Sequence, residues 1–243
     1  MRLILDDARS GAWNMAADQW LMENCAATGE ATLRFYRWSE PTVSLGYFQS
    51  IELRHGHPSS RECPIVRRTT GGGAIVHDAE LTYCLTLPVV DRVDSKLTEC
   101  YELVHQELIE VLAQKGVTAT LVGDAGTREP YPPFLCFQRR APQDVLVSQQ
   151  KILGSAQKRR QGVLLQHGSL LLAKSTEAPE LPGLSELTGQ ELNAEEIIAS
   201  WSQRLLNALS WKATEFQWGP REIKEIRTIA ETKFANPTWT GKR

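Results

Sequence analysis

The chain has 243 residues, 42% hydrophobic and 23% charged, with a formal net charge of −2. That balance is ordinary for a folded globular protein and excludes one that grips nucleic acid over a broad basic surface. No apolar stretch approaches a membrane span, and Met1 to Asp7 is too short and acidic for a signal peptide; five scattered cysteines without a C-x-x-C pair point to a reducing, cytoplasmic setting without structural zinc.

In chain order, the pattern predicts a first helix over Trp13 to Cys25, capped by Asn14, with Ala17, Trp20, Leu21 and Asn24 on one face. Leu33 to Tyr36 and Thr42 to Tyr47 read as strands around the Ser39-Glu40-Pro41 turn. Ala74 to His77 and then Leu81, Tyr83, Leu85 and Leu87 at every second position continue as strand. Ser95 to Gln114 carries a helical stripe of Leu97, Tyr101, Val104, Leu108, Val111 and Leu112, stopped by Gly116. Val117 to Val122 is strand-like, and Arg128 to Pro133 is too rich in proline for regular structure. Val145-Leu146-Val147, the turn Ser148-Gln149-Gln150 and Lys151-Ile152-Leu153 form a hairpin pattern, and Val163 to Leu172 is a further strand. Lys174 to Leu192 reads as loop; helices over Glu195 to Leu209 and from Pro220 to about Phe234 close the chain. Strands outnumber helices and arrive in hairpins, so the expected class is α+β, a mixed, mainly antiparallel sheet packed with helices. A single catalytic domain is expected, with its core over about 10–175 and a helical portion over about 193–243.

The chemistry gathers in three places. Arg67 to Asp78 reads R-R-T-T-G-G-G-A-I-V-H-D, where Gly71, Gly72 and Gly73 weaken any helix or strand and can let a ligand approach the main chain. No helix follows and no G-K-S/T, which excludes a dinucleotide fingerprint and a Walker loop. A tight hairpin needing positive φ is the other account of the triple glycine. Cys136, in F-L-C-F-Q, follows the proline-rich stretch, where a thiol can meet a cleft; a cysteine between Leu135 and Phe137 can equally be core packing. Lys151 opens K-I-L-G-S-A-Q-K-R-R, and an ammonium beside Gly154, Ser155 and Ala156 can hold a carboxylate, phosphate or polarised carbonyl. His77 sits beside the glycines, His167 reads as a satisfied sheet residue, and His55, His57 and His105 are expected to be exposed.

Together R-R-T-T-G-G-G-A-I-V-H-D, C-F-Q (136–138), K-I-L-G-S-A-Q (151–157) and L-L-Q-H-G-S-L-L (164–171) resemble the lipoate-protein ligase and octanoyltransferase family. W-N-M-A-A-D-Q-W-L (13–21) and S-E-P-T-V-S-L-G-Y-F-Q (39–49) match as well, so the resemblance covers most of residues 10–175. It implies the catalytic fold shared with biotin protein ligases. It assigns the acyl tunnel to Arg68, Gly71, Gly72, Gly73 and His77, and contact with the acyl carbonyl to Lys151 and the Gly154-Ser155-Ala156 segment. The likeness is nearest to the cysteine-dependent branch, which implies Cys136 as acyl-accepting nucleophile. The implied reaction moves octanoyl from acyl carrier protein through a thioester to a lysine of a lipoyl-type domain such as glycine cleavage H protein, with no cofactor. The stretch R-R-A-P-Q-D (139–144) departs from the characterised branches, which keeps an ATP-dependent ligase and an amidotransferase between lipoyl domains as alternatives. A non-catalytic acyl-binding protein is the alternative from another class. No nucleic-acid or membrane partner is expected, and the protein is expected to be a monomer. Arg67-Arg68, Arg139-Arg140 and Lys158-Arg159-Arg160 are read as a basic rim for acidic carriers.

Overall fold

The computed structural model describes residues 1–89, 94–123 and 133–243. The side chain of Leu97 and residues 128–132 of the proline-rich stretch lie outside the described residues.

The chain opens with β1 (Arg2–Leu5) and α1 (Gly11–Thr28), then β2 (Thr32–Tyr36), β3 (Thr42–Leu45), β4 (Ile65–Arg67), β5 (Ile75–His77) and the long β6 (Glu80–Pro88). Helix α2 (Asp94–Gln114) leads to β7 (Ala119–Leu121), the hairpin β8 (Val145–Val147) and β9 (Gln150–Arg160), and β10 (Val163–Leu171). Helices α3 (Leu184–Thr188) and α4 (Ala194–Ala208), strand β11 (Thr214–Glu215), and helices α5 (Pro220–Ile229) and α6 (Pro237–Thr240) complete it. A π-helical turn over Ala230–Phe234 extends α5.

The eight-stranded sheet runs β11-β1-β2-β6-β10-β9-β8-β7. Strand β1 lies parallel to β2 and β11, and the other pairings are antiparallel. The α+β class and the hairpin-rich sheet agree with the sequence pattern. A second, three-stranded sheet, β4-β3-β5, carries the segments on either side of the glycines. Alternation along the central strands fills two cores. Leu81, Tyr83 and Leu85 pack with Val104, Leu108 and Trp201 of α2 and α4, while Cys84, Val163 and Leu165 face Ala17, Trp20 and Leu21 of α1.

Several expectations need correction. Ser10, not Asn14, caps α1, its hydroxyl accepting the Trp13 amide at 3.4 Å. Asn14 is buried instead, because its amide bridges the carbonyls of Arg9 and Arg37. The stretch from Lys174 to Leu192 contains α3, which Gly183 and Gly189 delimit. Strands β1 and β11 escape a local reading because each is short and the pairing between them joins segments about 210 residues apart, with Arg2 opposite Thr214.

Candidate active site

Between β4 and β5 the chain turns through Gly71-Gly72-Gly73, and Gly72 sits at φ +96°, a conformation that glycine adopts without strain. Arg68 ties this turn down from within. Its guanidinium donates to the carbonyls of Ser44 (2.9 Å), Gly71 (2.7 Å) and Gly73 (2.7 Å) and is itself buried. Burial lowers its pKa to about 10, against the pull of Cys136, so it stays cationic at neutral pH.

The turn holding Cys136 is fastened to the same segment. Ala74 donates to the Phe134 carbonyl at 3.0 Å, and the Cys136 amide donates to Ala74 at 2.7 Å. A short 3-10 turn over Cys136–Gln138 follows, with Phe137 buried and Cys136 half-buried. Lys151 reaches this turn from the start of β9, with its Nζ 3.6 Å from the Cys136 Sγ and 3.4 Å from the Cys136 carbonyl. Its nearest anion is Asp144, 2.8 Å away on the other arm of the hairpin, and both side chains are almost wholly buried. Gly154 makes room for this. A methyl group there would stand 2.5 Å from the Lys151 Cε and 2.8 Å from its Nζ. Burial raises the Asp144 carboxyl above its usual range, against the pull of Lys151.

Cys136 shares one pocket with Arg68, Gly71, Gly72, Gly154, Ser155, Ala156 and His77. Sheet register completes the wall, since Gly168 of β10 lies between Tyr83 of β6 and Ser155 of β9, and Ser169 lies opposite Gly154. Met15, Tyr36, Ser44, Ile75, Thr82 and His167 close the cavity. A mainly apolar cleft with a few convergent polar groups is what an acyl chain and its carbonyl require.

Behind β9 runs a polar chain whose protons can be assigned. His105 Nδ1 must donate to the Gln143 carbonyl (2.6 Å), so its Nε2 accepts from Ser155 Oγ (2.6 Å). Ser155 in turn accepts from the Tyr83 hydroxyl (2.6 Å), which accepts from Gln166 (2.7 Å). Burial drives the His105 pKa down to about 3, which keeps the imidazole neutral as this assignment needs. His77 is buried too, stacked 3.8 Å from Trp38, with Nε2 2.8 Å from Ser44 Oγ. Burial lowers its pKa, although Glu80 pulls the other way.

The structure brings the sequence candidates to one place, with Gly73 and Lys151 flanking the pocket that the others line. His105 and His57 are buried rather than exposed, because α2 packs His105 on the sheet while Ser60 and Glu180 hold His57. His55 is exposed. His167 is satisfied by Asp18 (2.9 Å) and Thr70 (2.7 Å). The basic rim does not form as read. Arg67 and Arg68 point inward onto carbonyls, and Lys158 to Arg160 lie at the end of β9 away from Lys151. Arg140, exposed and four residues past Cys136, remains on that side. Sequence reasoning missed Asp144; its signal is an acid just before β8, set across the hairpin from a lysine at the start of β9.

Known proteins resemble the chain in sequence and in fold. The family model described as the lipoyl protein ligase A/B catalytic domain matches residues 10–181. The chain is 32% identical to octanoyltransferase LipM of Symbiobacterium thermophilum, covering 100% of this chain and 98% of that protein. It is 27% identical to octanoyltransferase LipM of Brevibacillus brevis, covering 100% and 99%. The structure of an archaeal bipartite lipoate protein ligase and its E2 lipoyl domain from Thermoplasma acidophilum superposes with a TM-score of 0.77 at 19% identity, covering 99% and 95%, a likeness of fold.

Proposed function

The chain belongs to the lipoyl protein ligase A/B catalytic domain family, and from that premise we propose that it is an octanoyltransferase of lipoate assembly. The observation that carries the reading is the Cys136 sulfur, 3.6 Å from the Lys151 ammonium on a pocket suited to an acyl chain. The donor is an octanoyl thioester on acyl carrier protein, and the acceptor is a lysine of a lipoyl-type domain such as glycine cleavage H protein. The work takes place in the cytoplasm, which suits five free thiols. Among the described residues no helix is long and apolar enough to cross a membrane.

The scheme is ping-pong. The Cys136 thiolate attacks the thioester carbonyl while the Lys151 ammonium stabilises first the thiolate and then the oxyanion. The carbon–sulfur bond to the carrier breaks, the carrier leaves as a thiol with the proton that Cys136 gave up, and the octanoyl group stays on Cys136. The neutral ε-amine of the acceptor then attacks, a carbon–nitrogen bond forms, and the bond to Cys136 breaks. The amine proton returns to the Cys136 sulfur. Thioester to amide runs downhill, so no nucleotide enters. Arg68, Gly71, Gly72 and His77 line the acyl site with Gly73 at its edge, and Gly154, Ser155 and Ala156 form its floor along β9.

Intact-mass spectrometry after exposure to octanoyl carrier protein is expected to show one octanoyl group on the wild-type protein, lost with hydroxylamine and missing in Cys136→Ala. Octanoate with ATP and apo lipoyl domain is expected to yield no product. Full activity in Cys136→Ala would remove the scheme, and turnover only with octanoate and ATP would establish the ligase instead.

A further inference from the structure

Asp144 takes no part in the bonds made and broken during transfer, yet its carboxylate is built firmly into the site. The Ala141 amide donates to its Oδ2 at 2.7 Å, and its own amide returns to the Ala141 carbonyl at 3.1 Å. Next to it, Gln143 sits at φ +71°, its amide on the Val122 carbonyl (2.7 Å) and its own carbonyl taking the His105 Nδ1 proton (2.6 Å). Val122 in turn donates to the Asp144 carbonyl at 2.8 Å. A non-glycine residue at positive φ carries a local cost and persists where its surroundings hold it. Here they deliver one carboxylate oxygen to 2.8 Å from the Lys151 Nζ.

We propose that Asp144 is a positioning residue that keeps Lys151 protonated and aims its ammonium between the sulfur and the carbonyl of Cys136. An isolated ammonium in this buried corner would shed its proton readily, because desolvation disfavours charge. A carboxylate at contact distance opposes that. The remaining ammonium protons point to the long contacts at 3.4 and 3.6 Å, where an oxyanion can take one. The other titratable groups facing the pair are Cys136 from the turn, Tyr101 and His105 from α2, and Arg68 and Arg139 beside Cys136. Burial keeps Tyr101 a neutral phenol and His105 a neutral imidazole, and Arg68 remains cationic, so these three hold a fixed charge from pH 6 to 9.

The inference rests on the transfer reading for its consequence but is measurable without it. Trace acetylation of the full chain with acetic anhydride across pH, read at Lys151 by peptide mass spectrometry, gives the ammonium's titration midpoint whatever reaction the enzyme runs. In Asp144→Asn the midpoint is expected to fall by about one pH unit or more, and kcat for octanoyl transfer by about 10²-fold, with KM for the donor less affected. Asp144→Glu is expected to keep the midpoint near the wild-type value while kcat falls, since charge is retained and placement is not. An unchanged midpoint in folded Asp144→Asn overturns the proposal. If Asp144→Asn does not fold, wild-type kcat in Asp144→Glu overturns it. A fallen midpoint in a protein whose Cys136 never carries an acyl group upholds the inference and sinks the transfer scheme instead.

Discussion

Arg34 and Lys151 are both buried cations beside buried carboxylates, and they differ in how fully their donors are used. The Arg34 guanidinium spends all five N–H groups at 2.7 to 3.3 Å, on Asp6, Asp18 and both the carbonyl and side-chain oxygens of Asn14. Asp18 is equally occupied, taking Arg34, Tyr36 and His167; burial would raise its carboxyl, but His167, Arg34 and Tyr36 together hold it below the ordinary range. Lys151 has one short contact, to Asp144, and two long ones, to Cys136. A saturated ion pair staples α1 to the sheet, whereas an unsaturated one keeps donors for charge that develops during reaction. Burial alone does not separate structural from reactive charges; the geometry of the remaining donors does.

Exchanging the two cation types is the sharpest way to break this contrast. Lys151→Arg keeps the charge but has no room over Gly154 for a planar fork, so transfer is expected to fall by roughly 10²- to 10³-fold in steady-state assays while urea unfolding shifts little. Wild-type turnover in that variant would mean that any cation serves. Gly154→Ala pushes on the same ammonium directly, its methyl crowding the Lys151 Cε and Nζ, with an expected loss of about 10²-fold in kcat and a circular dichroism spectrum like that of the wild type. Arg34→Lys reverses the pattern. Three donors cannot serve the four acceptor oxygens that the guanidinium reaches with five bonds, so stability is expected to drop by about 1 to 3 kcal/mol in denaturant titration, with kcat per folded molecule close to wild type.

Acid gives a smaller, graded effect. His105 keeps its folded pKa at about 3, whereas in the unfolded chain it takes a proton near its ordinary value of about 6.5. Between those values the unfolded state binds more protons, so stability is present above the window and is lost as pH falls through it, by at most about 1.4 kcal/mol per pH unit from this group. Thermal melts from pH 7 to 4 are expected to show a falling Tm, and a flat profile would mean that His105 charges in place. The smallest effect belongs to the surface. Arg140→Glu is expected to raise KM for acyl carrier protein a few-fold at low salt and not at high salt; an effect independent of ionic strength would exclude electrostatic steering through this residue.

The local elements were legible in residue order. The stripe from Tyr101 to Leu112, the alternation from Leu81 to Leu87, the Val145 to Leu153 hairpin and the stop at Gly116 all depend on neighbours within a few residues, and the fold contains each of them. The candidate residues also carried their own signals, three consecutive glycines, a thiol beside a proline-rich stretch and a lysine ahead of small residues. Tertiary structure alone decided what those residues became. It pairs β1 with β11 across the whole chain, turns Arg67 and Arg68 inward, buries His105 as a neutral imidazole and sets Asp144 against Lys151. Periodicity and turn chemistry are short-range properties of the backbone, whereas burial and proton affinity depend on which distant segments exclude water from a side chain, and residue order records neither.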